Sequence, residues 1–325
     1  MVVFYGLLKQ NKEFASALKI MAPRYRSLSS WLRELFSQPV RKISVDAGLG
    51  CPNRDGSVGF GGCIYCNSTG SGTGAARNGL SVSDQVDRGI EFLARRYRVS
   101  KFIAYFQSYT NTYGTPEYLR QIYLAAIQRP EVVGLAIGTR PDCLSDRVLD
   151  VICEMSNLKL VWIEIGLQSS HDRTLDLINR GHSARDFFEA SRRAMNRGVL
   201  VVAHIILGLP GESLEDMLIT AKALSSAGIH GVKIHPLYVI SGTPLEELYR
   251  SGGYTPMTLA ESVEAILSVI QVLPKDMVIH RLTSDPHKDE LVAPRWMLDK
   301  TAVRNFLNHQ MEKRNIFQGS KALAQ

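Results

Sequence analysis

Three of the five cysteines of this chain, Cys51, Cys63 and Cys66, lie on one glycine-rich stretch, with eleven residues between the first pair and two between the second. Thiolates grouped on a loop that can wrap around them are suited to hold a metal or a cluster, because glycines let the backbone turn tightly at the ligands. No fourth cysteine is near, and no histidine precedes His171. A structural zinc ion generally takes four protein ligands, so a zinc site would have to recruit one from far along the chain. The reading that uses the three thiols as they stand is a [4Fe–4S] cluster bound through three irons, with the fourth iron open to a small molecule. The other two cysteines, Cys143 and Cys153, read as small buried residues.

An open iron is a ligand site, and a cluster working with S-adenosylmethionine (SAM) is one route to radical chemistry. The remaining candidates are polar residues at the ends of apolar runs: Gln107, Thr139-Arg140, Gln168 and Gly208-Leu209-Pro210-Gly211-Glu212. Glu164 falls inside the run Leu160–Ile165, where a buried, unpaired carboxylate is costly, which makes it a site candidate. His204, His235 and His280 lie on or beside apolar runs and read as core histidines or as site residues. Arg180 is either a ligand-binding guanidinium or a surface ion pair. Lys233, His235 and Arg140 are expected to face the functional end of the fold and suit an anionic substrate. The hydroxyl- and amide-rich segment Tyr109–Tyr113 is a further candidate contact.

The elements that must position these residues alternate. Strands are expected at Lys42–Asp46, Phe102–Phe106, Val132–Gly138, Leu160–Ile165, Val199–Leu207 and Gly231–His235, with another at Met277–Leu282. Helices are expected at Tyr25–Phe36, Ser83–Tyr97, Thr115–Gln128, Ser145–Met155, Ala184–Arg197, Ser213–Ala227 and Thr258–Leu273, then from Pro294 to Lys313 before a polar tail. Serine or threonine followed three residues on by an acid marks the starts at Ser213 and Thr258, and Gly198 and Gly228 mark stops. About six strand–helix units with near-continuous apolar strands indicate an α/β fold whose parallel sheet is buried on both faces. An open sheet or a partial barrel would satisfy this, and in both the site gathers at the C-terminal ends of the strands. The polar candidates fall there.

The motifs Cys51-Pro52-Asn53-Arg54-Asp55-Gly56, Gly61-Gly62-Cys63-x-x-Cys66, Gly138-Thr139-Arg140-Pro141-Asp142, Gly166-Leu167-Gln168-Ser169, Asn179-Arg180-Gly181-His182 and Gly208–Glu212 resemble the radical SAM superfamily over most of residues 24–310. The usual signature has three residues between the first two cysteines; the eleven here resemble one bacterial subfamily, similar to the oxygen-independent coproporphyrinogen oxidases and to the radical domain of the Elongator catalytic subunit. The resemblance implies a partial (β/α)6 TIM-like barrel at 41–240, flanked by a basic N-terminal extension at 1–40 and a C-terminal extension at 241–325. It implies a [4Fe–4S] cluster on Cys51, Cys63 and Cys66 and SAM as cofactor, cleaved by one electron to a 5′-deoxyadenosyl radical that takes hydrogen from substrate. It implies cofactor contacts from Tyr65, Gln107, Gln168, Arg180, Gly208 and Pro210, with Arg180 toward the SAM carboxylate. The Gly-Gly-Glu-like segment usual after the second strand is replaced by Gln107-Ser108-Tyr109, and His204 stands where the coproporphyrinogen oxidases have an aspartate. A low-potential electron donor such as flavodoxin or ferredoxin is implied as partner.

Composition bounds the rest. A chain of 325 residues, 45% hydrophobic and 21% charged, is ordinary globular protein, long enough for one large domain or two. It has no apolar run long enough to span a membrane, no secretory leader pattern and no paired-cysteine framework, so a reducing cytoplasm is expected. Residues 1–42 carry eight basic side chains (Lys9, Lys12, Lys19, Arg24, Arg26, Arg33, Arg41, Lys42) against two acidic ones, nearly the whole surplus of a chain whose net charge is +7. Such a segment can attract phosphates or can be a solvated outer helix. With the Elongator likeness it favours tRNA, with a wobble uridine as substrate. The coproporphyrinogen-oxidase likeness favours a small carboxylated metabolite instead. The expectations from other classes are a non-catalytic Fe–S or zinc protein that binds nucleic acid, and a carrier of haem or another cofactor.

Overall fold

The computed structural model describes residues 23–67, 70 and 75–322. Lys9, Lys12 and Lys19 of the basic segment lie outside the described residues.

The elements run α1 (Leu28–Phe36), β1 (Val40–Val45), α2 (Val82–Tyr97), β2 (Lys101–Phe106), α3 (Pro116–Ile127), β3 (Val132–Thr139), α4 (Asp146–Ser156), β4 (Leu160–Gln168), α5 (Asp172–Leu177), α6 (Ala184–Met195), β5 (Leu200–Leu207), α7 (Leu214–Ser226) and β6 (Gly231–Pro236). They continue with β7 (Val239–Ile240), α8 (Pro244–Arg250), α9 (Leu259–Val272), β8 (Val278–Arg281), β9 (Leu291–Ala293) and α10 (Lys300–Lys313). Seven strands form one parallel sheet in the order β1-β2-β3-β4-β5-β6-β8, curled into a half-barrel with helices outside. The expected six strand–helix units are present. The seventh strand comes from the segment beyond residue 240 and extends the sheet. Among the described residues no helix is long and apolar enough to cross a membrane.

Local chemistry explains the boundaries. Side-chain and backbone hydrogen bonds close reciprocal caps at Ser81/Asp84, Ser183/Asp186, Ser213/Asp216 and Thr258/Glu261. Gly134 permits the close approach of β3 to β4, since a Cβ there would lie 2.7 Å from the Leu160 carbonyl oxygen. The last expected helix starts later, at Lys300, because a 3₁₀ turn at Arg295–Leu298 precedes it and Asp299 caps it. The polar tail is tied down: Gln318 donates from Nε2 to the Met277 carbonyl at 2.7 Å and accepts from the Arg26 amide at 2.8 Å.

The main core lies between the sheet and its outer helices. A second apolar cluster fills the inside of the half-barrel at the N-terminal ends of the strands, where Leu32 of α1 meets Ile103, Tyr105, Ala136, Trp162 and Val202. α1 therefore closes the floor, and the Ile279 amide of β8 bonds the Arg26 carbonyl beside it at 2.8 Å. The expectation of a solvated outer helix here is corrected: one face of α1 is barrel core. Leu32→Ala should cost about 2–5 kcal/mol of unfolding free energy by urea denaturation, whereas a loss under about 0.5 kcal/mol, typical of a surface position, would mean that α1 does not close the floor.

Candidate active site at the open end of the half-barrel

The cysteine loop leaves the C-terminal end of β1 and folds back over the mouth. Its inserted residues between Cys51 and Cys63 make a compact flap, with Asp55 bridged to Phe60 and the Val58 amide bonded to the Pro52 carbonyl at 2.8 Å. Asn53 is wholly buried and donates to the Asn179 carbonyl at 2.6 Å. Arg54 Nη2 donates to the Cys66 and Asn67 carbonyls at 3.0 and 2.6 Å. The Ser57 hydroxyl meets Tyr113 OH at 2.8 Å. The eleven-residue gap thus encodes a brace that locks the ligand loop to the turn after α5 and to the β2–α3 loop. Sequence reasoning assigned it no purpose.

Cys63 is buried, with Arg180 Nη1 3.5 Å from its Sγ. Burial alone would raise this thiol, but the charge and hydrogen bond of Arg180 outweigh it and hold the thiol below its usual range. Cys66 is pushed up, by burial and then by the neighbouring Cys63, partly offset by Arg54. Tyr65 is half-buried beside them with its hydroxyl oxygen buried, and that hydroxyl is raised by burial and by the Cys63 thiol. Among the described residues, no three His, Cys, Asp or Glu side chains converge on a point that would hold one metal ion. A zinc ion needs its donors on one tetrahedral centre, whereas an iron–sulfur cluster presents separate irons to separate sulfurs.

The other expected residues distribute unevenly. Gln168 ends β4 in a left-handed conformation (φ 74°), at an irregularity in the β4–β5 register. Gln107 follows β2 and accepts from the Ser44 hydroxyl at 3.2 Å. Arg180 gives Nη2 to the Gly166 carbonyl at 2.9 Å, and its Nε has no hydrogen-bond partner although buried. His182 bonds the same carbonyl at 3.1 Å, and burial, then Arg180, lower it to about 2. Gly208 (φ 78°) starts the turn after β5, accepts from Tyr254 OH at 2.9 Å and leads to buried Pro210. Two expectations are corrected. Arg140 does not face the mouth: it is buried, spanning Asp142 at 2.9 Å and the Arg180 carbonyl at 2.8 Å. Asn111 and Thr112 are structural ties, Asn111 to the Phe106 and Gly138 carbonyls at 3.1 and 3.0 Å, Thr112 to the Cys143 carbonyl at 2.8 Å.

Below this layer the lumen is charged. Glu164 is fully buried, and its Oε1 accepts from Lys42 at 2.8 Å and Trp162 Nε1 at 3.0 Å. Its Oε2 meets His204 Nε2 at 2.8 Å and Lys233 at 3.0 Å. Lys233 also donates to Tyr105 OH at 2.8 Å. Burial would raise Glu164, but Lys233 and Lys42 hold it well below the carboxylate range, so it is ionised. An ionised oxygen only accepts, so His204 carries hydrogen on Nε2. Burial lowers Lys233 to about 7 and His204 and His280 to about 4 each. Lys42, counted by sequence with the basic segment, is thus a lumen residue, and neither it nor Tyr105 was foreseen in the site. A lysine at the start of an apolar strand was the available signal. A cavity of about 430 Å³ beneath, lined by Trp31, Trp162, His230 and His280, belongs to the floor.

The Radical SAM superfamily profile matches residues 48–224, and the Radical_SAM C-terminal domain profile residues 229–313. The chain belongs to the radical SAM superfamily. Its members work with a [4Fe–4S] cluster and SAM. The chain is 36% identical over 296 residues to the YtqA protein of Bacillus subtilis, covering 91% of this chain and 92% of that one. It is 25% identical to Elongator complex protein 3 of Mus musculus, covering 86% of this chain and 58% of that one. It is 32% identical to a tRNA uridine(34) acetyltransferase of Methanocaldococcus infernus, covering 47% of this chain and 29% of that one. The fold matches the solved archaeal Elp3 from Methanocaldococcus infernus with a TM-score of 0.67 at 21% identity, covering 86% of this chain and 64% of that one.

The buried histidines and Glu164 give this radical SAM protein a pH signature. His182, His204 and His280 stay neutral in the fold where the unfolded chain would take up protons, so their contribution to stability is full above pH 6.5 and is lost as pH falls toward about 4. Glu164, depressed, adds loss in the same direction below its ordinary value of 4.5. Urea denaturation from pH 7 to 4.5 should show stability falling by on the order of 1.4 kcal/mol per pH unit for each histidine. A flat profile would mean that these groups titrate normally. Glu164→Ala should cost about 3–5 kcal/mol.

Proposed function

We propose that this chain is a radical SAM enzyme that modifies tRNA, acting on a wobble uridine. The observation that carries the reading is the likeness to Elongator complex protein 3 along 86% of this chain, supported by the likeness to a tRNA uridine(34) acetyltransferase. Cys51, Cys63 and Cys66 would hold the cluster and leave one iron for SAM. Several buried polar atoms here have no partner among the described residues: Asn53 Oδ1, the Tyr65 and Ser108 hydroxyls, Asn111 Oδ1 and Arg180 Nε. Such orphans are where a polar ligand belongs, and the thiol set with a guanidinium beside it suits an anionic cluster.

When bound, the reduced cluster and SAM supply one-electron chemistry that takes a hydrogen atom from an unactivated C–H bond. The chain's own residues prepare for it. Arg180 would favour the Cys63 thiolate that iron takes. Tyr65, Gln107, Gln168, Gly208 and Pro210 would line the SAM site, with Gly208 allowing backbone to approach. The inserted loop would brace the cysteines, and α1 packs against the inside of the sheet at the other end. Arg24, Arg33 and Arg41, with the basic residues ahead of them, would meet tRNA phosphates, and a flavodoxin- or ferredoxin-type donor would deliver the electron.

Anaerobic reconstitution should give about four irons per chain and reductive cleavage of SAM, both lost in Cys51→Ala, Cys63→Ala and Cys66→Ala. Stoichiometric zinc with no cleavage would overturn the reading. tRNA from a strain lacking the gene should accumulate one precursor nucleoside that the holoenzyme consumes in vitro, and its binding should fall by about 10³-fold or more between 50 and 200 mM salt if six or more phosphates are contacted. Unchanged tRNA nucleosides would remove tRNA as the substrate.

A further inference from the structure

The network around Glu164 accounts for two lumen cations and leaves a third. Arg281 ends β8 opposite Lys233 of β6. Val232 pairs with Ile279, and the next residue, Lys233, pairs with Arg281, so His280 is an extra residue in the ladder. A bulge of this kind re-aims side chains. His280 reaches Trp162 and comes within 3.8 Å of Glu164, too long for a hydrogen bond. The register sets Arg281 beside Lys233, whose side chain reaches Glu164 and Tyr105, and its charge bears on Tyr105, Lys233 and His235. Half-buried, the Arg281 side chain has no hydrogen bond or ion pair with any described residue.

The signs do not balance. Lys42, Lys233 and Arg281 face one carboxylate, Glu164. The surrounding histidines His204, His235 and His280 are neutral, held down first by burial. Two further acids near Tyr238 are engaged elsewhere, Asp285 with Lys300 and Glu290 with Asn67. A partly buried guanidinium without an anion is costly and invites one. We propose that the lumen between Lys42, Lys233 and Arg281 is a subsite for a carboxylate carried by the substrate. The proposal rests on the reading of the lumen as the substrate chamber of a radical SAM enzyme. A guanidinium fork with a neighbouring ammonium fits two coplanar oxygens. A phosphate dianion would feel the ionised Glu164 twice over. An anion anchored here leaves the rest of the substrate pointing up toward the cysteine layer, where hydrogen abstraction would take place.

The test uses reconstituted, oxidised holoenzyme with SAM and [¹³C]acetate as probe, followed by NMR line broadening. Wild type should bind acetate saturably, Arg281→Gln should weaken it by about ten-fold, and Arg281→Lys should restore part of the loss. An equal concentration of inorganic phosphate should not displace it. Acetate binding equal in wild type and Arg281→Gln, or equal displacement by phosphate, overturns the subsite. Thermal melting of each variant separates local loss from misfolding. No tRNA enters this experiment, so its failure leaves the tRNA reading standing, and unaltered tRNA nucleosides alongside Arg281-dependent acetate binding would retire tRNA and keep the subsite.

Discussion

The contact on which the site depends is that of the buried Arg180 guanidinium with Cys63. It joins a ligand loop that follows β1 to a turn that follows α5, more than a hundred residues later. The approach is close enough to exclude side chains. A Cβ on Gly166 would meet Arg180 and come 2.7 Å from Gln168 Nε2, and one on Gly181 (φ 70°) would come 2.6 Å from Asn53 Oδ1. Gly166 is therefore held by packing against Arg180 and Gln168, and Gly181 by its positive φ and by Asn53 and Val58. The same contact is electrostatic chemistry, because a cation at a buried sulfur favours the thiolate that binds iron.

From that contact the chamber is built in two layers. Above, the thiols lie near buried polar atoms that have no partner among the described residues. Below, an ionised carboxylate is held by two lysines and two hydrogen-bond donors, in a wall where burial keeps the histidines neutral. A buried charge survives only when paired and hydrogen-bonded. Glu164 meets that condition completely, whereas the half-buried Arg281 side chain has no charged or hydrogen-bonding partner among the described residues. On the proposal made here, the contrast separates a structural charge from one that binds substrate.

Much of this was legible in the sequence, and the misses have physical reasons. Apolar strands between capped helices announced a parallel α/β sheet, because strands buried on both faces leave no polar alternation. The cysteine spacing singled out the loop proposed to hold the cluster. The short α5 and α8 and the β7–β9 pair were not expected, since six- and seven-residue helices and a two-residue strand carry too little periodicity to be seen. Lys42 and Arg140 were each assigned a direction from sequence position alone. Pairing decided otherwise: Lys42 turns inward to Glu164 and Arg140 is consumed by Asp142 and a carbonyl. The inserted loop was opaque for a related reason: Asn53 works through Asn179 and Cys63, partners remote in sequence or defined only by the fold.

The most direct test of the account is electron paramagnetic resonance of the reduced, reconstituted protein before and after addition of SAM. Three cysteine ligands and one open iron predict a cluster signal whose g-values shift when SAM binds, with the shift weakened in Arg180→Gln. A cluster signal that SAM leaves unchanged would contradict the claim that Cys51, Cys63 and Cys66 hold a cluster with a site for the cofactor.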